Sequence, residues 1–406
     1  MKKLVSVLLT VILAASLCAC GASGAGAAAD AAKDSGSVNI KVGFICLHDE
    51  NSTYDLNFIN GAKEACSKLG IEPIIKVNIP EGQECYDAAC ELADAGCSFI
   101  FANSFGHEDY IIEAAKEYPD IQFSHATGTK AHTENLPNYH NAFASIYEGR
   151  YLAGIVAGMK LKEMIDAGTI TPDQAKIGYV GAFTYAEVIS GYTSFFLGVR
   201  SIVPEATMEV TFTGSWYDET AEKEGATKLI QDGCVLLSQH ADSMGAPTAC
   251  ENAGVPDVSY NGSTEAACPN TFLVSSKIDW APYFEYAIRA TANKEAYDTD
   301  WTGSIETGSV ALTDYGKNIA DGTKEAVEEA KKKLMDGSLH VFDTSTFTVE
   351  GQELTTYMAD VDTDPDYKGD HEAVKDGYFD ESGKGMRSAP YFDLQIDGIS
   401  LLDTAF

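Results

Sequence analysis

Basic residues are scarce in this sequence. Its 406 residues include 28 Lys and Arg against 61 Asp and Glu, which gives a formal net charge of −33 at pH 7. A surface of that charge repels the phosphates of nucleic acid, and no Lys/Arg cluster is dense enough to reverse the repulsion locally. We therefore expect no nucleic-acid partner.

The common catalytic motifs are missing as well. The chain has no Gly-x-Ser-x-Gly elbow, no Gly-x4-Gly-Lys-Ser/Thr phosphate loop, no His-Glu-x-x-His and no Gly-x-Gly-x-x-Gly after the first predicted strand. Its ten cysteines include no mature Cys-x-x-Cys pair, and the spacing of Cys85, Cys90 and Cys97 matches no zinc or iron–sulfur pattern. The sequence thus predicts a protein that is not an enzyme and has neither cofactor nor metal.

A targeting segment opens the chain. Lys2 and Lys3 precede an apolar run of about 14 residues, which is too short to span a bilayer and predicts a signal peptide over residues 1–19. Leu17-Cys-Ala-Cys20-Gly resembles the lipobox of bacterial lipoproteins, with Cys20 as the lipidated residue. The Gly/Ala/Ser-rich segment 20–37 predicts a flexible tether. We expect a lipid-anchored protein on the extracytoplasmic face of the cell membrane; the alternative is a buried N-terminal helix.

From Val38 onwards, short β-branched runs alternate with longer amphipathic segments. This alternation predicts an α/β protein with parallel sheets covered by helices, and its length favours two doubly wound, three-layer lobes. The hydrophobic content of 45% is enough to bury a core in each lobe. The predicted boundaries are 38–145 plus about 266–320 for lobe I, 146–265 for lobe II, and 321–406 for an acidic C-terminal extension packing on the lobes.

Two motifs have a structural explanation as well as a functional one. Gly154-xxx-Gly158 would suggest a membrane helix in a longer apolar segment, but this one has only about nine apolar residues. It predicts close packing of a helix against a neighbour.

Asp360-x-Asp-x-Asp-x-Asp366 resembles a calcium loop but lacks the required Gly and Glu, which favours a solvated acidic loop.

Ligands of doubly wound sheets bind beyond the carboxyl ends of the strands, so residues at these ends are the candidates for a site. Aromatic side chains and neutral hydrogen-bonding groups predominate there. Such a site suits a flat, uncharged heterocycle bearing hydroxyls, and the lack of Arg and Lys disfavours phosphorylated nucleotides. The candidates are His48, Asp49, Tyr54, Asn103, Phe105, His125, Thr127, Phe183, Tyr185, Trp216, Tyr217, Asp218, Gln239, His240, Asp242 and Asn261. Structural alternatives remain open, among them core histidines and a helix cap at Asp218.

Several segments together resemble the basic-membrane-protein family, the PnrA/Med-like substrate-binding lipoproteins of ABC importers. These are Glu148-Gly-Arg-Tyr-Leu-Ala-Gly-Ile-Val-Ala-Gly158, Lys176-Ile-Gly-Tyr-Val-Gly181, Gly214-Ser-Trp-Tyr-Asp218 and Gln239-His-Ala-Asp-Ser243. The resemblance covers about residues 39–310. It implies a type I periplasmic-binding fold whose hinged lobes close over a purine nucleoside, stacked between Tyr54 and Trp216, with Asn103 as a polar contact. It also implies an ABC permease and ATPase as partners, and we expect a monomer.

Departures from the family pattern leave the ligand open. Asn261 stands where the family has an Asp that holds ribose hydroxyls, and Thr127 replaces another Asp. Lys277 lies about one residue from the position of the family lysine, and Trp280 is an additional candidate. The alternatives are a free nucleobase, another aromatic heterocycle such as riboflavin, or a ligand sensor without a transport role.

Overall fold

The computed structural model describes residues 38–361, 369–381, 383 and 386–404. The predicted signal peptide, Cys20 and the tether lie outside these residues, as do Asp362, Asp364 and Asp366. None of the helices in the described ranges is long and apolar enough to cross a membrane.

The strands are β1 (Lys41–Ile45), β2 (Pro73–Lys76), β3 (Cys97–Ala102), β4 (Gln122–Ala126), β5 (Tyr139–Ala144), β6 (Lys176–Gly181), β7 (Thr207–Phe212), β8 (Leu236–His240), β9 (Asp257–Tyr260), β10 (Phe272–Ile278), β11 (Asp300–Gly303), β12 (Val310–Leu312), β13 (Met358–Ala359), β14 (His371–Glu372), β15 (Val374–Lys375), β16 (Tyr378–Phe379) and β17 (Ile399–Leu401). The α-helices are α1 (Thr53–Leu69), α2 (Gln83–Asp94), α3 (Glu108–Glu117), α4 (Ala131–Glu134), α5 (Ile146–Asp166), α6 (Ala186–Arg200), α7 (Glu219–Gln231), α8 (Gly245–Ala253), α9 (Ala281–Asn293) and α10 (Thr323–Met335).

Two large sheets organise these elements into two lobes. The sheet of lobe I has six parallel strands in the order β11-β5-β4-β3-β1-β2. The sheet of lobe II has seven strands in the order β12-β10-β9-β8-β6-β7-β17, all parallel except for the β10–β12 pair. Helices between successive parallel strands cover the faces of each sheet. The predicted α/β fold with two doubly wound lobes is confirmed.

The predicted lobe boundary near residue 266 is wrong. Strand β10 pairs with β9, with Val274 opposite Val258, so the chain stays in lobe II through Ile278. Strand β12 then pairs with β10 in the same sheet. The chain crosses between the lobes at Ser145, at 279–280 and at 304–309. The sequence pattern shows that 272–278 is a buried strand, but its neighbour depends on tertiary pairing.

Aromatic packing holds the middle crossing to lobe I. Trp280 is 1% exposed and stacks on Phe58 of α1, with ring centroids 4.3 Å apart. Phe284 of α9 meets Phe44 of β1 edge to face at 5.0 Å. Burying such rings is worth about 1.5–3 kcal/mol each. The core of lobe I is therefore completed by residues that follow lobe II in the chain.

The described part of the C-terminal extension packs on lobe II. Strand β17 adds to the edge of its sheet, with Ile399 opposite Met208 of β7. Phe392 stacks on Phe342 at 4.3 Å, and the buried Glu381 accepts a hydrogen bond from Ser190 Oγ of α6 at 2.6 Å. The acidic segment thus has its own apolar contacts.

Candidate ligand-binding site

A cavity lies between the carboxyl ends of the two sheets. It contains about 360 Å³ of space between protein atoms, counting the part that is open to solvent. Each lobe contributes six lining residues. Those of lobe I are Leu47, Tyr54, Asp55, Ser104, Phe105 and Thr127, and those of lobe II are Glu187, Trp216, His240, Asp242, Tyr260 and Asn261.

Direct contacts join the lobes around this cavity. The backbone N–H of Thr53 donates to the carbonyl of Asp242 at 3.0 Å. The rings of Phe105 and Tyr185 approach to 5.1 Å between centroids. A third contact brings the His48 ring to 5.4 Å from that of Tyr217. The lobes are therefore closed over the cavity.

Helix α1 carries the lobe I aromatic into the wall. It begins after Ser52, whose side chain accepts a hydrogen bond from the N–H of Asp55. This cap fixes the first turn, where Tyr54 donates its hydroxyl to the carbonyl of Asn103 at 2.7 Å. The bond leaves the Tyr54 ring on the cavity wall.

Trp216 provides the aromatic surface of lobe II from the loop after β7. Its ring meets Phe183 edge to face at 5.1 Å and lies 6.0 Å from Tyr185. Behind it, the carbonyl of Trp216 accepts the N–H of Asp242 at 2.9 Å. The loop that carries Trp216 is thus fixed to the loop after β8.

Two residues of the wall have a strained backbone. Thr127 follows β4 with φ 63°, and Asn261 follows β9 with φ 67°. A left-handed conformation is costly for a β-branched residue and common for Asn. Such strain persists where the surroundings enforce it, often at ligand sites.

The three carboxyl groups of the wall differ in their surroundings. Burial raises the pKa of Asp55, but hydrogen bonds from His48, Asn103 and Ser52 outweigh it, so its pKa is lowered. The Asn103 amide donates to Asp55 Oδ1 at 2.7 Å, and the Ser52 hydroxyl donates to Oδ2 at 2.7 Å. Asp55 is therefore an ionised group with its acceptors already used.

The surroundings of Asp242 shift its pKa in the opposite direction. It is buried, and burial raises its pKa well above the usual value. Asp55, Glu222 and Glu187 raise the pKa further, and the neighbouring Asn261 offsets only part of the rise. Burial also lowers the pKa of His240, whose Nε2 lies 3.4 Å from Glu187 Oε1. No Lys or Arg is among the residues that line the cavity.

Seven of the candidate residues predicted from the sequence line the cavity. They are Tyr54, Phe105, Thr127, Trp216, His240, Asp242 and Asn261.

Four other candidates support the wall from behind. The Asn103 carboxamide oxygen accepts the N–H of Leu47 at 3.1 Å, and His48 bonds to Asp55. His125 Nε2 lies 2.6 Å from the Ser104 carbonyl. The Gln239 amide donates to the carbonyl of Ala241 at 2.7 Å. These side chains position lining residues without lining the cavity.

Three candidates lie elsewhere. Asp49 accepts hydrogen bonds from Asn51 in an exposed turn. Asp218 accepts the N–H of Ala221 at 2.9 Å and caps α7, the structural alternative noted for it. Trp280 packs in the core of lobe I. None of the three side chains lines the cavity.

Five residues that line the cavity are not among the candidates from the sequence. They are Leu47, Asp55, Ser104, Glu187 and Tyr260. Asp55 stands in a Ser-x-x-Asp pattern that is typical of a helix start, and Glu187 is an acid in a first helical turn. Both patterns are explained by helix capping alone. Tyr260 directly precedes Asn261, which could have indicated it.

The family model of PnrA-like ABC transporter substrate-binding proteins matches residues 47–343 of the chain. The chain belongs to this family. The predicted membership is confirmed, and with it the role of an ABC transporter substrate-binding protein, which is extracytoplasmic and membrane-associated and works with a permease and an ATPase. Residues 344–406 lie beyond the match.

Two similar proteins have names that refer to a ligand. A purine-binding protein of Brucella abortus is 29% identical over 319 residues, covering 77% of this chain and 86% of the relative. An ABC transporter protein of Haloferax volcanii, named for glucose binding, is 31% identical over 265 residues, covering 65% and 64%.

Solved structures share the fold. A solute-binding protein of Aeropyrum pernix superimposes with a TM-score of 0.63 at 17% identity, over 75% of this chain and 93% of that one. One of Conexibacter woesei gives 0.60 at 20% identity, over 74% and 98%. The predicted type I periplasmic-binding fold is confirmed.

Proposed function

We propose that this PnrA-like protein binds a purine nucleoside or nucleobase between its lobes and delivers it to an ABC importer. The observation that carries the proposal is a cavity between the lobes that Tyr54 of one lobe and Trp216 of the other both line. Opposed aromatic surfaces suit a flat ring system, because stacking needs no particular edge pattern. The purine-binding relative supports the same ligand class.

An unsatisfied polar atom in the wall supports a polar ligand. The Tyr260 hydroxyl is buried and has no hydrogen-bond partner among the described residues. Buried polar groups in native proteins nearly always have a partner, so a ligand that bonds to this hydroxyl would remove this penalty. A heterocycle with ring nitrogens or hydroxyls meets that need.

The proposal includes the membrane anchor and the oligomeric state of the protein. Lipidation at Cys20 would hold the protein, as a monomer, beside its permease. The cavity has no Lys or Arg to neutralise a phosphate, so a nucleoside or base is favoured over a nucleotide.

A thermal-shift panel of adenosine, guanosine, inosine, adenine, riboflavin and glucose tests this function. We expect purines to raise the melting temperature, since a ligand that binds only the folded state stabilises it. Riboflavin alone or glucose alone as the stabilising compound would reject the purine assignment.

Replacing Trp216 tests the stacking. Stacking of a base on an aromatic ring is worth about 1–3 kcal/mol, so Trp216→Ala should weaken purine binding about 5- to 150-fold by calorimetry. Tyr286→Ala is the control, because Tyr286 is an exposed aromatic on α9 outside the cavity. Unchanged affinity in Trp216→Ala would show that the ring does not stack on the ligand.

A further inference from the structure

The charges around the cavity are one-sided. Three lining residues are acidic, namely Asp55, Glu187 and Asp242, and none is Lys or Arg. The only titratable base in the wall is His240, which burial keeps neutral by lowering its pKa. The lack of basic residues predicts an uncharged ligand from the sequence, whereas Asp55 and Glu187 add acidic groups to the wall.

We propose that the ligand is a purine-type heterocycle that carries a positive charge, either on its ring or on an attached amine. This inference rests on the proposed function and names the class of purine. The cavity would then select a cationic purine over its neutral parent.

Two of the three carboxyl groups are available to such a ligand. Asp55 is already held by Ser52, Asn103 and His48. Glu187 has a contact of 3.4 Å with the neutral His240, and Asp242 faces other carboxyl groups. A cation in the cavity would interact favourably with both groups, because opposite charges attract strongly in a poorly hydrated site.

The groups that face Asp242 come from several elements. Asp55 belongs to α1, Glu187 to α6 and Glu222 to α7, and all three are acids. The Asn261 amide is the neutral neighbour. Burial and these neighbouring acids favour the uncharged form of Asp242, whereas a cationic ligand in the cavity would favour its ionised form and balance the negative charge of its neighbours.

Arg150 is a buried cation behind Tyr260, and it does not fill this role. Its guanidinium carbon lies 5.1 Å from the ring centroid of Tyr260, behind the cavity wall. Its side chain donates to Tyr179, Ser238 and the carbonyl of Ser259. It reduces the negative potential without contacting the cavity.

The aromatic part of the wall points to the same class of ligand. Tyr54, Phe105, Trp216 and Tyr260 surround the acids, and aromatic faces attract cations by about 0.5–2 kcal/mol. Independent evidence that the cavity receives a ligand is the hydroxyl of Tyr260, which is 1% exposed and has no partner among the described residues. Acids and aromatic rings together are the usual surroundings of bound cations.

Matched ligands test the charge. Calorimetry compares adenosine with 1-methyladenosine, and guanosine with 7-methylguanosine, at slightly acidic pH, where both methylated rings are positively charged. Since the methyl groups lie on different edges, steric exclusion of one does not exclude the other. We expect at least one methylated nucleoside to bind about tenfold more tightly than its parent.

Two variants connect the preference to the acids. Glu187→Gln and Asp242→Asn should each reduce the ratio of the affinity for the cation to the affinity for its neutral parent about tenfold or more, whatever the change in the affinity for the neutral nucleoside. Glu113→Gln is the control, because Glu113 is an exposed acid on α3. Circular dichroism checks that the variants are folded. A loss of the cation preference in one of the two variants is enough to support the proposal.

The outcomes separate this inference from the proposed function. If neutral purines bind and neither methylated nucleoside binds more tightly, the charge inference is wrong and the function stands. A cation preference that survives both variants also overturns it. If no purine of either kind binds, the proposed function fails and the inference fails with it.

Discussion

Arg150 is a fully buried cation that joins three strands of lobe II. Its Nη2 donates to the hydroxyl of Tyr179 on β6 at 2.8 Å and to the hydroxyl of Ser238 on β8 at 2.9 Å. Its Nη1 donates to the carbonyl of Ser259 on β9 at 3.2 Å. The next residue on β9 is Tyr260, whose ring lies over the guanidinium. Arg150 thereby fixes the strand that carries the cavity wall.

Replacing Arg150 with lysine should destabilise the protein by about 2 kcal/mol or more. An ammonium group donates from one point, whereas the planar guanidinium reaches several strands at once. Hydrogen bonds to charged groups are worth about 1.5–3 kcal/mol each, and their acceptors would stay buried. Urea unfolding followed by circular dichroism measures the change.

Arg289→Lys provides the comparison, because Arg289 is half-buried at the surface of α9. Its effect should stay within about 0.5 kcal/mol. Equal effects of the two variants would mean that Arg150 acts as an ordinary cation and not as a link between strands.

The limits of sequence reasoning are clearest for single residues. Tyr54 and Trp216 could be predicted because they are aromatic residues among polar ones near strand ends. Glu187 could not, because an acid in a first helical turn is favoured by the helix dipole wherever the helix lies. Trp280 shows the converse error, since it follows a strand but its side chain turns into the core.

At the scale of elements, helices α5 and α6 are in close backbone contact. A Cβ atom placed on Gly154 would lie 2.1 Å from the carbonyl oxygen of Phe195. One placed on Gly198 would lie 2.1 Å from that of Tyr151. The predicted close packing at Gly154-xxx-Gly158 is confirmed, and its partner is a second glycine on α6.

Gly198→Ala should destabilise lobe II by about 3 kcal/mol. The new methyl group would overlap a backbone oxygen, which moves only if the two helices separate, and overpacking of this kind costs about 1–3 kcal/mol or more. The change in unfolding free energy in urea measures it. Binding should weaken as well, because α6 carries Glu187.

Gly225→Ala on α7 is the control for this effect. There the nearest atom to a new Cβ is the side-chain methyl Cγ2 of Thr211 at 3.2 Å. Alanine also gains about 0.5–1 kcal/mol in helix propensity, so the net change should be small. A similar loss in both variants would argue against the α5–α6 contact as the cause.

The order of elements was predictable and some of their partners were not. The alternation of strands and helices predicts the α/β class, because the spacing of apolar residues in each segment indicates which of its faces is buried. It does not indicate which strands are neighbours, so the sequence places β10 in lobe I whereas the structure places it in lobe II. Strand β17 has only three residues and exists because Met208–Val210 of β7 offers it an edge.

At the scale of the whole molecule, a pair of partly exposed aromatic rings joins the two lobes beside the cavity. Phe105 of lobe I and Tyr185 of lobe II pair at 5.1 Å, although they remain 38% and 39% exposed. Such a contact can break without exposing a core. Opening and closing of the lobes at the three chain crossings therefore fits the handover of a ligand to a permease.

Removing the Phe105–Tyr185 pair should release the ligand faster. An aromatic pair contributes about 0.5–1.5 kcal/mol, so Phe105→Ala or Tyr185→Ala should raise the dissociation rate of a bound purine about two- to tenfold. The association rate should hardly change, because the open form presents the same cavity. Stopped-flow tryptophan fluorescence measures both rates.

The double variant isolates the contact from other effects of each ring. If the two rings act through each other, Phe105→Ala combined with Tyr185→Ala should be no worse than the more affected single variant. Tyr286→Ala, outside the cavity, should leave both rates unchanged. Because Phe105 also lines the cavity, additive effects would indicate that it contacts the ligand directly and that the pair does not hold the lobes closed.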